Sequence, residues 1–91
     1  MEEGRKVTSI NRSMVVRAFV ADMEVELSKA ESKFPGGFHS LHEAYAVLAE
    51  EVDEVWDICR QKDDRRDRWK LRGELVQVAT MALRAVLELK L

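Results

Sequence analysis

One cysteine, one proline and four glycines are all that this 91-residue chain holds of the residues that most constrain or loosen a backbone. A lone Cys59 cannot close an intramolecular disulfide, which excludes a disulfide-stapled scaffold and fits a reducing compartment. No apolar run approaches the roughly 18 residues that a membrane-crossing helix needs. No signal-peptide core follows Met1-Glu2-Glu3-Gly4-Arg5-Lys6, so a soluble cytoplasmic protein is expected. A surplus of one charge is missing too. Fifteen basic against seventeen acidic residues leave a net charge of −2, so neither nucleic acid nor a membrane is an expected partner. Internal repeats, β-alternation, Gly-rich phosphate loops and zinc-type cysteine spacings are all absent.

What remains is helical patterning in one small domain over residues 1–91. After a polar tail at 1–9, a first helix is expected from about Asn11 to Lys33, with Val16, Val20, Met23, Leu27, Ala30 and Phe34 as a narrow apolar stripe. Phe34-Pro35-Gly36-Gly37-Phe38 stops it, since proline lacks a donor and glycine permits positive φ. Ser40-Leu41-His42-Glu43 reads as a capping box that starts a second helix, running to about Arg60. Its main seam is Leu41, Tyr45, Leu48, Val52, Val55 and Cys59. The apolar pattern vanishes from Gln61 to Arg68 and returns in a third helix ending near Leu89. Apolar residues cover most of that helix's circumference, from Leu71 and Leu75 to Val86 and Leu87. Two further helices of one small chain would hardly cover such a surface. The expectation is therefore an all-α fold, a three-helix antiparallel bundle completed by oligomerisation.

Acidic residues depart from this pattern at two places. At about 100° per residue, Glu51 falls inside the apolar arc of the second helix, flanked by Val47, Leu48, Val55 and Ile58, with Glu54 at the arc's edge. Glu74 falls among Leu71, Val78, Met81 and Ala85 of the third helix, with Gln77 at the edge beside Arg84. An ionised carboxylate in such surroundings is costly unless a cation or a donor compensates it. Two readings follow. Packed antiparallel, the helices bring three carboxylates and an amide oxygen together as hard ligands for Mg²⁺ or Mn²⁺; alternatively, Glu51 and Glu74 pair with arginines such as Arg72 or Arg84. A di-iron bundle would need Glu-x-x-His on two helices, and neither His39 nor His42 has a glutamate three residues before it.

Glu50-Glu51-Val52-Asp53-Glu54, followed after nineteen residues by Glu74-Leu75-Val76-Gln77, resembles the E-E-x-x-E … E-x-x-D signature of the MazG-like all-α nucleotide pyrophosphohydrolases. Phe38 to Tyr45 and Glu74 to Ala82 look like a short subgroup of that family, and the resemblance covers about residues 34 to 90. It implies hydrolysis of a nucleoside triphosphate to monophosphate and pyrophosphate by a dimeric or tetrameric enzyme. It also implies Mg²⁺ at Glu51, Glu54, Glu74 and Gln77, with Glu50 or Glu54 orienting or deprotonating the attacking water. Gln77 departs from the signature: it keeps an oxygen donor but lacks a charge. A triphosphate also requires cationic partners. Lys62, Arg65, Arg72 and Arg84 are candidates, with His42 as a substrate contact and Trp69 for base stacking. Two other readings use the same residues: a nucleotide-binding degenerate homologue, and a non-catalytic interaction module whose acids serve only ion pairs.

Overall fold

Two side-chain caps and one glycine turn decide where the helices begin and end. The computed structural model describes the backbone of residues 2–91 and the side chains from Asn11 onward. It is all-helical, with α1 at Glu2–Lys33, α2 at Leu41–Cys59 and α3 at Arg68–Glu88, and it has no strand among the described residues. No described helix is long and apolar enough to cross a membrane. Ser40 caps α2, its Oγ accepting from the Glu43 N–H at 3.0 Å. The Glu43 carboxylate accepts in turn from the His39 N–H at 3.1 Å, one residue outside the expected reciprocal bond. Asp67 caps α3 by accepting from the Lys70 N–H. Arg66 closes the intervening loop, donating to the Cys59 and Gln61 carbonyls at 2.9 Å, where the α2 C-terminus favours a cation.

Helix α1 begins at Glu2 rather than near Asn11, so the segment read as a polar tail is helical in its backbone. Apolar periodicity reports burial rather than helicity, so its absence does not mark a helix end. Residues 11–18 are all exposed in keeping with this.

α3 is the central element. Asp22 pairs with Arg72 at 2.7 Å, and Arg84 lies over the Phe34 ring at 5.3 Å. Both partners advance by twelve residues between these contacts, so α1 and α3 run parallel. Glu51 and Glu54 meet Glu74 at one end, while Ala44 packs with Met81 further along, so α2 runs antiparallel to α3. Among the described residues α1 and α2 each pack on α3 and not on one another. The helices thus alternate in direction along the chain, up-down-up, as an antiparallel three-helix bundle requires, although α1 and α2 make no direct contact. Small side chains permit the close approach: Ala30 and Ala44 are buried, and Thr80 is fully enclosed, its hydroxyl donating to the Val76 carbonyl at 2.8 Å.

The buried residues of α2 lie outside the expected seam. Ala44 and Ile58 are buried, whereas Leu41, Tyr45 and Val52 are exposed. The expected seam is partly covered: Leu48 packs on the core and Val55 and Cys59 are half-buried, while its Leu41, Tyr45 and Val52 side lacks a partner among the described residues. The same holds for Leu75, Val86 and Leu87 on α3 and for Val16 and Val20 on α1, all exposed.

The turn between α1 and α2 is tied to the end of α3. Glu88 Oε1 accepts from the Phe38 N–H at 2.7 Å, and Gly37, at φ +68°, would place a Cβ 3.0 Å from that oxygen. Gly37→Ala is expected to cost about 1–2 kcal/mol from the left-handed backbone alone, with displacement of Glu88 adding to it. Urea denaturation of the variant checks this, and an unchanged midpoint would contradict the role given to the turn.

Candidate metal centre and cavity

Glu51 and Glu54 lie one turn apart on α2, and Glu74 on α3 faces them across the antiparallel contact. One carboxylate oxygen from each of the three lies within 4.8 Å of the other two. Glu51 and Glu74 are half-buried and Glu54 is exposed. The Oε2 of Glu51 is enclosed without a hydrogen-bond donor. Neighbouring ionised carboxylates cannot supply one, because each can only accept.

The protonation equilibria reflect that shortage. Burial, then repulsion from Glu54 and a hydrogen bond to it that requires a proton, raise Glu51 from an ordinary 4.5 to about 7. Glu74 is raised mainly by the corresponding bond to Glu54, with burial and repulsion adding and Lys70 opposing. Between pH 4.5 and about 7 the folded chain therefore retains a proton on Glu51 that the unfolded chain has released. Stability of the metal-free protein is expected to be highest below that window and to fall as pH rises through it. Urea midpoints at pH 5 and pH 8 with a chelator check this; a midpoint that rises with pH would contradict it.

The ion-pair alternative fails on partners. Arg72 pairs with Asp22 and stacks near Trp69 at 5.5 Å, and Arg84 pairs with Glu88 at 2.6 Å. Among the described residues no salt bridge reaches Glu51 or Glu74.

Beside the carboxylates, the gap between α1 and α2 forms a cavity of about 1040 Å³. Glu50, Glu51 and Gln77 border one end, and the Phe34–His39 turn borders the other. Arg84, Met81 and Val47 line it between α3 and α2, and Glu26, Lys29, Ala30 and Lys33 form the α1 wall. Of the cationic candidates, Arg84 alone borders this cavity. Arg72 lines a smaller hollow between α1 and α3 that also touches Gln77. Lys62 and Arg65 lie exposed in the α2–α3 loop, outside both hollows. Trp69 is 77% exposed and His42 is also exposed, and neither lines the cavity.

Lys29, Lys33, Phe34 and His39 line the cavity and were missed, because α1 was assigned to packing and surface only. Comparison of the chain with protein-family models, curated proteins and solved structures finds no match in any of the three.

Proposed function

We propose that the chain is a Mg²⁺-dependent nucleotide pyrophosphohydrolase of the MazG-like kind, cleaving a nucleoside or deoxynucleoside triphosphate to its monophosphate and pyrophosphate in cleansing the nucleotide pool. The observation that carries this reading is the orphaned, enclosed Oε2 of Glu51 within a cluster of three carboxylates. Such an oxygen needs a proton or a cation, and an all-oxygen donor set suits Mg²⁺ or Mn²⁺. Glu51, Glu54 and Glu74 would hold the ion, with Gln77 contributing an amide oxygen. When bound, the cation supplies charge neutralisation and polarisation at phosphoryl oxygens.

The chain's own groups account for the rest. Glu50, exposed at the cavity edge next to Glu51, would orient a water and take its proton; Glu54 is the other group able to do so. Lys33, with Lys29 one turn before it and paired with Glu26 at 3.3 Å, offers positive charge to a polyphosphate from the α1 wall.

Self-association belongs to the same proposal. Leu41, Tyr45, Val52, Leu75 and Val86 are uncovered, which suits a homodimer or homotetramer.

The experiment is a panel of NTPs and dNTPs with Mg²⁺ or Mn²⁺, read as pyrophosphate release. No release from any of them would end the catalytic reading. Gln77 favours one second reading, a nucleotide binder with weakened turnover. Gln77→Asp restores a charged ligand and is expected to lower the Mg²⁺ concentration at half-maximal activity by about tenfold or more, the scale of effects seen when a metal site's donors are improved or lost. A variant that hydrolyses while the wild type does not would select the binder.

A further inference from the structure

Arg84 is an unusual lining for an open cavity. It is only 4% exposed, its guanidinium lies 4.2 Å from the Phe38 ring centroid and 5.3 Å from that of Phe34, and its Nε donates to Glu88 at 2.6 Å. Glu88 is in turn fixed by the Phe38 N–H. Among the described residues nothing accepts a hydrogen bond from the fork formed by the two terminal amino groups. The group is rigidly held and mostly buried, yet its terminal amino groups are not sealed, so these donors are open to the cavity that it borders.

Its position along α3 adds a distance. Seven residues separate Gln77 from Arg84, about 10 Å at 1.5 Å per residue. That is comparable with the span from a nucleotide's α-phosphate to the far edge of its base. Two chemistries compete for the fork: a phosphate, or neutral acceptors on a base. Glu88 already offsets the positive charge and would repel a phosphate. Phe34, Phe38 and Met81 make this end of the cavity aromatic and apolar, which suits a flat base.

Resting on the nucleotide reading above, we propose that Arg84, braced by Phe34, Phe38 and Glu88, is the base-reading residue and selects a 6-oxopurine. Guanine and hypoxanthine present adjacent O6 and N7 acceptors that match a two-donor fork. Adenine presents N7 beside an N6 amino donor, which faces the fork donor to donor. Phe34 is half exposed, with Lys33 Nζ 5.5 Å and the Arg84 guanidinium 5.3 Å from its ring centroid, and a base stacking there displaces the flexible Lys33 side chain.

The test is isothermal titration of GMP, IMP and AMP into the full chain with Mg²⁺, in the wild type and Arg84→Lys. GMP and IMP are expected to bind about tenfold or more tighter than AMP, within the range of one bidentate guanidinium–base contact. Arg84→Lys keeps the charge but loses the fork, and is expected to bring the three affinities within about threefold of each other with AMP little changed. Equal wild-type affinities, or a preference for AMP, overturn the assignment whatever the variant does. Retention of the preference in a folded Arg84→Lys protein overturns it too. If no nucleotide binds, and no triphosphate is hydrolysed, the nucleotide reading itself is what fails.

Discussion

Glu51→Gln is expected to make the metal-free protein more stable while removing its response to Mg²⁺ and its turnover. The amide has nearly the same shape, carries no charge, and can donate to Glu54, so it relieves both the repulsion and the orphaned oxygen at Glu51. An enclosed acceptor without a partner costs about 1–3 kcal/mol, and each kcal/mol moves the melting temperature of a domain this size by roughly 4–8 °C. At pH 8 with a chelator the variant should therefore melt several degrees above the wild type. The pH dependence between 5 and 8 should flatten as well. Added Mg²⁺ should raise the wild-type melting temperature and leave the variant's unchanged, since only a ligand bound to the folded state shifts it. Loss of one charged ligand removes several kcal/mol of transition-state charge stabilisation, so hydrolysis should fall by about a thousandfold. Thermal melts with and without Mg²⁺ check the first part and pyrophosphate release the second. A variant less stable than wild type without metal would show that the carboxylates already have donors.

Glu88→Ala is expected to be the most destabilising single change at the α1–α2 turn. The Glu88 carboxylate accepts from both the Arg84 Nε and the Phe38 N–H, and its side chain is 15% exposed against 5% for Arg84. Truncation leaves a buried guanidinium without its counter-charge and a backbone donor without an acceptor. Breaking a buried pair from one side costs about 3–5 kcal/mol, a large share of the 5–15 kcal/mol typical of a domain. Glu88→Gln retains an acceptor for either donor and should lose less. Urea denaturation of the two variants checks the order, and a loss below about 1 kcal/mol in Glu88→Ala would contradict the latch.

Much of this was legible in the sequence for physical reasons. Ser40 and the Phe34–Phe38 break mark helix limits because caps and glycine turns are local chemistry. Glu51 and Glu74 stood out because a carboxylate within an apolar arc violates burial, and the structure brings both to one cluster with Glu54. The α2 seam is only partly buried because an apolar face reports the need for a partner without saying which chain provides it; Leu48 packs on the core while Leu41 and Tyr45 stay exposed. The cavity was not legible at all. It arises because α1 runs parallel to α3 and stays clear of α2, an arrangement fixed by contacts between residues fifty positions apart, such as Asp22 with Arg72 and Phe38 with Glu88. Charge counting likewise chose Lys62 and Arg65, near Glu74 in sequence, over Lys29 and Lys33, which border the same cavity as Glu51.

The central claim is that the Glu51, Glu54 and Glu74 cluster supports cleavage between the α- and β-phosphorus. Phosphorus NMR of a nucleoside triphosphate incubated with the protein and Mg²⁺ tests it most directly. The account predicts growth of monophosphate and pyrophosphate resonances together, abolished by a chelator and by Glu51→Gln. Nucleoside diphosphate and inorganic phosphate as products, or an unchanged triphosphate spectrum, would contradict it.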